Sequence, residues 1–402
     1  MSSLTTSQFR YHYSGAVSAN SPFYITRDSD YQFYETLKNH KYCCVLNARQ
    51  MGKTSLLVRT KRKLQNDGHA CSSIDLSGLG HYFDDFQWCF SFVSQLSRNS
   101  NVTLFKAPEL KQWRKSSSFE SPIEIIKVFV EEILLDKIDQ DIVIFIDEVD
   151  YLMTRTSLGV NFISLLQFFY NQRNVDSRYE RLTFALIGVV NPSHFNQGKR
   201  GEIFNIGTNI DLQGFSFEEA LPLIEGFRDK ADNPCKVLKE ILSWTGGQPL
   251  LTQKSCSLIE DFEGYVYEGE EKTVVREKIK TYILDDGRYT DNLVHFIGIK
   301  GVLSTDSSDY YNNLSLYHEI LVKEEVEVDD FREYRELLLS GLIKKKGKKL
   351  SISNRIYKEF FNLQWVDTQF ENKRLIIKED WMKLRLKLRK LKLQEMTTQG
   401  IY

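Results

Sequence analysis

Lys53 and Thr54 follow Gly52 in a stretch that separates an apolar run from a predicted helix. A lysine placed there can hold the β- and γ-phosphates of a nucleotide, and a hydroxyl can bind magnesium. The glycine allows close backbone approach, and the N–H groups at a helix N-terminus favour negative charge. The predicted nucleotide-binding residues of this loop are Asn47, Ala48, Arg49, Gln50, Met51, Gly52, Lys53, Thr54 and Ser55.

The loop matches the last three positions of the phosphate-binding pattern G-x-x-x-x-G-K-[ST] and departs from it at the first, where Asn47 stands. That position often needs a positive φ, which asparagine tolerates better than other non-glycine residues. The alternative is a chance Gly-Lys-Thr that only opens a helix. The strand before it, the helix after it and a second motif argue against that alternative.

The second motif is a pair of carboxylates, Asp147 and Glu148, directly after the apolar run 142–146. Five apolar residues fit a strand buried on both faces. Asp147 is therefore predicted to hold Mg²⁺ together with Thr54, and Glu148 to act as the general base that activates water. Lys53 and Glu148 are the predicted catalytic residues at this point. Two carboxylates in a solvated turn are the simpler interpretation of the pair taken alone.

The elements around these motifs alternate between strands and helices. Strands are predicted at 41–46, 70–76, 142–146 and 182–190, with helices at about 53–65, 83–98, 122–137 and 161–173. This alternation predicts an α/β fold with a parallel sheet and helices on both faces. Together with the two motifs it predicts a P-loop NTPase core. Both motifs then lie at the carboxyl ends of strands, where ligands bind in such sheets.

After about residue 210 the pattern becomes helical, and near the end a strand pair is predicted at 341–343 and 350–352. We therefore expect four parts. They are the ATPase core at 1–212, a helical lid at 213–287, a winged-helix-like domain at 288–366 and a basic amphipathic tail at 367–402.

The amino-acid composition excludes several classes of protein. Of the 402 residues, 53 are basic and 54 acidic, so neither a globally basic nucleic-acid coat nor an acidic disordered chain is expected. No apolar run reaches about 18 residues, so no transmembrane helix is expected. Residues 1–10 lack the apolar core of a secretory signal. Six scattered cysteines, interpreted as small buried hydrophobes, predict a cytoplasmic location and no structural zinc.

The two motifs, with further short matches, resemble the bacterial AAA-like domain family, which is related to STAND and archaeal-type P-loop ATPases. The further matches, which extend the resemblance over about residues 10–366, are Tyr11 to Gly15, Ser21 to Tyr24, Trp244 to Thr252, Leu339 to Leu342 and Asn354 to Tyr357. The resemblance implies ATP and Mg²⁺ as ligands, and slow or partner-stimulated ATP hydrolysis.

The resemblance also implies roles for three further residues. Pro249 would approach the base or sugar from the lid, Arg27 would line the base pocket, and Asn191 would sense the γ-phosphate. A helix-start turn explains the segment around Pro249 equally simply, and Arg27 and Asn191 can be ordinary surface groups. Thr208 stands where the family pattern leads us to expect arginine, with Lys199 and Arg200 as nearby basic candidates.

The preferred hypothesis is a nucleotide-driven switch of the signalling or defence type. Members of the family often carry a long repeat, sensor or effector region, so we expect output through a separate protein effector, a sensor or the tail, and a nucleotide-dependent homo-oligomer. One alternative is an ATP-regulated DNA-binding protein of the initiator or transposition-regulator type. Its weak support is the lysine cluster Lys344 to Lys349, which a nearby acidic run can neutralise. Another is a scaffold that does not need hydrolysis.

Overall fold

A computed structural model describes residues 11–13, 15–18, 21, 23–80, 83–102, 107–154, 156–189, 207–285, 290–303, 310–328 and 334–372. The chain forms two compact units, Met1–Ile279 and Lys280–Tyr402. The finer division of the sequence into core, lid, winged domain and tail stays a prediction.

The first unit is built on a five-stranded parallel sheet with the order β2-β3-β4-β1-β5. The predicted parallel sheet is thereby confirmed. Its order places β1 and β3, which carry the two motifs, on either side of β4. The strands are β1 Cys43–Leu46, β2 Ala70–Asp75, β3 Ile142–Asp147, β4 Leu182–Gly188 and β5 Thr208–Asn209.

Helices cover both faces of this sheet. The first unit contains α1 Asp28–Lys38, α2 Lys53–Asn66, α3 Asp85–Arg98, α4 Ala107–Ser116, α5 Pro122–Val128, α6 Leu135–Lys137, α7 Thr156–Gln172, α8 Phe217–Ala220, α9 Pro234–Thr245, α10 Pro249–Glu260 and α11 Glu271–Ile279. A π-helical stretch, Phe129–Leu134, joins α5 to α6. Short 3-10 helices lie at Leu76–Leu79, Val149–Thr154, Ser177–Arg181 and Leu221–Lys230.

Two apolar cores form because β3 and β4 are buried on both faces. On one face, Ile144 and Ile146 of β3 pack with Trp88 and Phe162 from the covering helices. On the other face, Phe145 packs with residues of α1 and α2. Alternate residues of a strand point to opposite faces, so one apolar run supplies both cores. This burial fixes where β3 ends, and therefore where Asp147 lies.

The exposed edge of β2 is closed by two asparagines from the segment after α3. The Asn101 side chain accepts a hydrogen bond from Cys71 N at 2.6 Å, and Asn99 Nδ2 donates to Ser73 O at 2.8 Å. An open strand edge is a template for pairing with another chain. These side chains therefore satisfy the edge without adding a strand.

The second unit pairs helices with a small antiparallel sheet of order β6-β8-β7. A π-helical stretch at Lys280–Leu284 comes before its helices. The strands are β6 Glu325–Glu327, β7 Ile343–Lys346 and β8 Lys349–Ile352, and the helices are α12 Thr290–Val302, α13 Tyr310–Lys323, α14 Arg335–Leu339 and α15 Arg355–Phe360.

Four of the five lysines between 344 and 349 lie in β7 and β8 rather than in a connecting loop, and Lys348 lies in the turn. The sequence suggested a linker over 344–349, but the strands run up to a two-residue turn at Gly347 and Lys348. Gly347 has a φ of 63°, which suits such a tight hairpin. Lys349 pairs with Glu325 of β6 at 2.8 Å. The acidic run thus neutralises part of the cluster.

All six cysteines are free. The interpretation as small buried hydrophobes is right for five of them and wrong for Cys235, which is exposed at the start of α9. In the part of the chain that the structure describes, no helix combines the length and apolar character needed to cross a bilayer.

Candidate functional site

The loop from Asn47 to Gly52 connects β1 to α2 and turns through two left-handed residues. Gly52, the N-cap of α2, has φ 84°, and Gln50 has φ 61°. When right-handed and left-handed backbone conformations alternate in neighbouring residues, successive N–H groups point toward one side of the turn. The concave loop that results binds anions. The helix N-terminus adds its partial positive charge. The loop can therefore receive a phosphate group.

Asn47 does not have the positive φ that was expected from its place in the pattern. Its side chain instead joins the loop to the segment after β5. Asn47 Nδ2 donates to Asp211 Oδ1 and to Leu212 O, both at 3.0 Å, and its Oδ1 accepts from Ala48 N at 2.7 Å. The asparagine thus supplies hydrogen bonds that glycine has no side chain to make.

Lys53 is buried in the first turn of α2. Its Nζ donates to Asn47 O at 2.9 Å and to Ala48 O at 2.7 Å. Burial lowers the pKa of Lys53 to about 8, while the charges of Glu148 and Asp147 oppose that shift. A cation held under a loop of N–H groups is suited to binding a polyphosphate.

Thr54 and Asp147 meet although they are 93 positions apart in the sequence. Thr54 Oγ1 donates to Asp147 Oδ2 at 3.1 Å. The reason is topological, because β1 and β3 are parallel and both end at the same edge of the sheet. The predicted juxtaposition of the two motifs is therefore present in the fold.

The two carboxylates at the end of β3, Asp147 and Glu148, differ in their surroundings. Asp147 is buried, and its Oδ1 accepts from Glu148 N at 3.0 Å. Burial raises the pKa of Asp147, and the hydrogen bonds from Glu148 N and Thr54 oppose the rise. Burial also raises the pKa of Glu148, with further contributions from Asp150 and Asp147.

Glu148 has a left-handed backbone, with φ 53°. For a long side chain this conformation costs about 1–2 kcal/mol. Such strained residues occur preferentially at functional sites, where the surrounding structure holds them. Here the strand end before Glu148 and the helical turn after it hold the residue, because Tyr151 N donates to Glu148 O at 2.9 Å.

The end of β4 fixes the turn that follows Asp147. Val189 N donates to Asp150 Oδ1 at 3.1 Å, and a Cβ on Gly188 would lie 2.8 Å from Val149 Cγ2. Gly188 O also accepts from Asn47 N at 3.1 Å. Gly188 is thus in contact with the loop and with the turn that follows Glu148, and a side chain there would displace that turn.

Arg27 lies against the phosphate-binding loop from behind. Its Nη1 donates to Met51 O at 2.9 Å and to Gln213 O at 3.3 Å, and its guanidinium stands 5.6 Å from the centroid of the Phe215 ring. A Cβ on Gly52 would lie 3.3 Å from Arg27 Nη2. Arg27 is therefore a buried contact of the loop.

The helical segment, residues 217–279 from α8 to α11, reaches the loop through Gln248, immediately before Pro249. Gln248 Nε2 donates to Gln50 O at 3.1 Å. Pro249 is the first residue of α10 and is buried. Gly247, with φ 73°, is packed so closely on Phe215 O that any Cβ would clash. The Gly-Gly-Gln-Pro motif therefore starts a helix and also contacts the core.

The remaining predicted loop residues have distinct positions. Ala48 is buried, Arg49 is exposed and Met51 is half-buried against the core beneath α1 and α2. The Ser55 hydroxyl accepts from Val17 N at 2.9 Å, so it faces the N-terminal segment. Asn191, Lys199 and Arg200 lie outside the described residues.

Sequence reasoning missed Gln248 as a contact of the loop and the Asn47 side chain as a link to 211–212. The signal for Gln248 was its place inside a Gly-Gly-Gln-Pro motif. No local signal pointed to Asp211, whose partner is 164 positions away.

Oxygen ligands for a hard cation come from Thr54 and Asp147. Within the described ranges, no cluster of three or more His, Cys, Asp or Glu side chains could hold a metal ion by itself. Magnesium is usually bound by one or two carboxylates together with substrate phosphates and water. The donors present fit that pattern.

The chain is similar to known proteins both in sequence and in fold. The chain is 39% identical over 369 residues to an uncharacterized WD repeat-containing protein of Synechocystis sp., covering 90% of this chain and 31% of that protein. The chain thus spans about a third of the length of this relative.

Among solved structures, the Walker-type ATPase PABY2304 of Pyrococcus abyssi superposes with a TM-score of 0.56 at 14% identity, covering 87% of this chain and 99% of that one. The two proteins share a fold. Residues 12–363 match the AAA-like domain family. Because this match covers most of the sequence and the fold is that of a P-loop ATPase, the chain belongs to the AAA-like domain family.

Proposed function

We propose that this protein binds ATP with Mg²⁺ and acts as a nucleotide-driven switch that hydrolyses ATP slowly. The observation that carries the proposal is the hydrogen bond from Thr54 Oγ1 to Asp147 Oδ2, 3.1 Å long, at the mouth of a loop with left-handed turns. A hydroxyl and a carboxylate at that place are the pair that a magnesium nucleotide requires.

Each residue then has a role. The N–H groups of the loop bind the phosphates, Lys53 binds the β- and γ-phosphate oxygens, and Glu148 accepts the proton of the attacking water. Thr54 and Asp147 would hold Mg²⁺, which neutralises charge on the phosphate oxygens when bound. Asn191 remains the proposed sensor of the γ-phosphate, and Arg27 and Pro249 the proposed neighbours of the base.

The switch is supported by the contact between the helical segment and the loop. Gln248 lies in the helical segment and donates to Gln50 O in the loop. Because a γ-phosphate would contact the same loop, ATP and its hydrolysis product would favour different positions of the helical segment. We propose that turnover is slow without a partner.

The relative from Synechocystis supports a role within a larger assembly. Its name records WD repeats, and it is about three times as long as the matched region. We propose that this ATPase module works with a repeat, sensor or effector region, on the same chain or on another, that it forms a nucleotide-dependent homo-oligomer, and that it acts in the cytoplasm.

The second unit has the strand order of a winged helix, and we propose that fold for it. We do not put forward DNA binding, because the lysine hairpin is partly neutralised. Lys349 of the hairpin pairs with Glu325. Paired lysines have less charge to offer to phosphates of nucleic acid.

The proposal is tested with Lys53→Ala and Glu148→Gln, with Arg62→Ala as the control because Arg62 is an exposed cation on the same helix. ATP binding is measured by calorimetry, and hydrolysis and molar mass are measured with and without nucleotide. We expect Lys53→Ala to lose ATP binding. Glu148→Gln should bind ATP but hydrolyse it about 10²–10⁴-fold more slowly.

Wild-type ATP affinity in Lys53→Ala would refute the assignment of the loop. Undiminished hydrolysis in Glu148→Gln would refute the assignment of the base while leaving nucleotide binding intact. Arg62→Ala should behave as wild type in both measurements.

A further inference from the structure

The carbonyl groups of the phosphate-binding loop are held from behind by side chains of separate segments. When the N–H groups of a loop face a ligand, its carbonyls point the other way and need donors of their own. In this chain the donors come from α2, from the N-terminal segment and from the helical segment. They are Lys53 to Asn47 O and Ala48 O, Arg27 to Met51 O, and Gln248 to Gln50 O.

Gln248 has two functions, and they use different atoms. Its Oε1 accepts from Leu251 N at 2.6 Å and so caps the N-terminus of α10. Its Nε2 donates to Gln50 O at 3.1 Å. Gln248 is buried, with 7% of its surface exposed. Its hydrogen bond to Leu251 N is buried, and its hydrogen bond to Gln50 O is partly buried.

The acceptor of the second hydrogen bond belongs to a strained residue. Gln50 is left-handed, with φ 61°, although it is not glycine. A donor that hydrogen-bonds to Gln50 O stabilises this orientation of the peptide group between Gln50 and Met51. The orientation also decides where the next N–H of the loop points.

The surroundings of Gln248 keep its side chain in reach. Phe215 N donates to Gly247 O at 2.8 Å, and Arg27 contacts both Met51 O and Gln213 O. The beginning of the helical segment and the loop therefore share one set of hydrogen bonds. A shift of α10 away from the core would break the bond to Gln50.

We propose that Gln248 is a positioning residue that couples the helical segment to the conformation of the phosphate-binding loop. The consequence for ATP rests on the proposed function. The coupling itself does not, because it concerns the loop and the helix of the protein alone. Gln248 acts through Gln50 rather than on the nucleotide.

The test separates the two functions of Gln248. Gln248→Ser keeps a good N-cap but is too short to reach Gln50 O, whereas Gln248→Ala loses both functions. Asn233→Ser is the matched control, because Asn233 caps α9 in the same segment by accepting from Lys236 N at 3.0 Å. Hydrogen exchange is measured in the full chain without nucleotide on the peptide that covers residues 47–54, together with the melting temperature.

We expect exchange in this peptide to be about two- to tenfold faster in Gln248→Ser, at an unchanged melting temperature. Asn233→Ser should leave the exchange rate of this peptide unchanged. If only Gln248→Ala accelerates exchange, or if Asn233→Ser does so as well, capping explains the effect and the coupling is refuted. Wild-type exchange in both Gln248 variants refutes it too.

A second arm measures the affinity for Mg·ATP, which should fall about two- to tenfold in Gln248→Ser. Absence of ATP binding by the wild-type protein would refute the proposed function, while the exchange result would still decide the coupling. Wild-type affinity together with faster exchange would refute the part of the inference that concerns the nucleotide.

Discussion

Acid should destabilise the second unit through one buried histidine. His295 is 8% exposed, and its Nε2 lies 2.8 Å from Tyr357 Oη. The rings of Phe296 and Tyr357 lie beside it, with centroids at 5.4 and 5.7 Å. Burial raises the pKa of Tyr357, so its hydroxyl stays neutral and gives an imidazolium no counter-charge. Burial accordingly lowers the pKa of His295 to about 4.

The sign and size of the effect follow from that pKa. In the unfolded chain a histidine binds a proton below about pH 6.5, whereas folded His295 binds one only near pH 4. Between these values the unfolded state carries more protons, so stability falls as the pH falls. The loss in the free energy of unfolding is about 2 kcal/mol between pH 7 and pH 5, and about 3 kcal/mol by pH 4.

The assay uses the full chain in urea at pH 7 and pH 5, followed by a pulse of hydrogen exchange at one fixed pH. Peptides from α15 report the unfolding of the second unit by itself. His295→Gln keeps a hydrogen-bonding side chain but cannot ionise. We expect its loss of stability between pH 7 and pH 5 to be about 2 kcal/mol smaller than that of the wild-type protein.

Tyr357→Phe is the control for the cause of the shift. It removes the hydrogen bond to His295 but keeps the burial, so we expect about 1–3 kcal/mol less stability at both pH values with the same pH dependence. If His295→Gln loses as much stability on acidification as the wild-type protein does, the reasoning from burial is wrong.

Two further substitutions test how the first unit is held. Gly188→Ala places a Cβ 2.8 Å from Val149 Cγ2. We expect about 1–3 kcal/mol less stability in urea titrations, and a larger loss of ATP hydrolysis than of ATP affinity. Equal losses of hydrolysis and affinity would contradict this expectation. Asn101→Ala leaves Cys71 N at the edge of β2 without its acceptor at 2.6 Å. We expect about 1–3 kcal/mol less stability and more self-association in light scattering. Wild-type values in both measurements would argue against closure of the edge by Asn101.

Local chemistry in the sequence was enough to predict the strand–loop–helix at Lys53 and the buried strand that ends at Asp147 and Glu148. Both signals are local, because an apolar run that ends in a polar residue marks a buried strand and its exit. Because the strands were predicted to be parallel, their carboxyl ends lie at one edge of the sheet, and Thr54 and Asp147 were expected to meet there. They do so, at 3.1 Å. The observed strands and helices begin and end within a residue or two of their predicted bounds in most places, although α7 begins at Thr156 rather than at 161.

Short elements with weak patterns were missed. The helix α1 has few apolar residues, and β5 has only two residues. Strands β7 and β8 contain four lysines, so these two strands were expected to be shorter than they are and the connection between them longer. In each case pairing or packing with distant residues overrides a weak local preference.

By itself the sequence determined which residues have the chemistry for a phosphate and a cation, and the order of elements that gathers them. Only the tertiary structure decided how the loop is held. The donor for Gln50 O comes from Gln248, 198 positions away, and the partner of Asn47 is 164 positions away. Hydrogen bonds between side chains and a distant backbone depend on the path of the whole chain, so no local period or spacing predicts them.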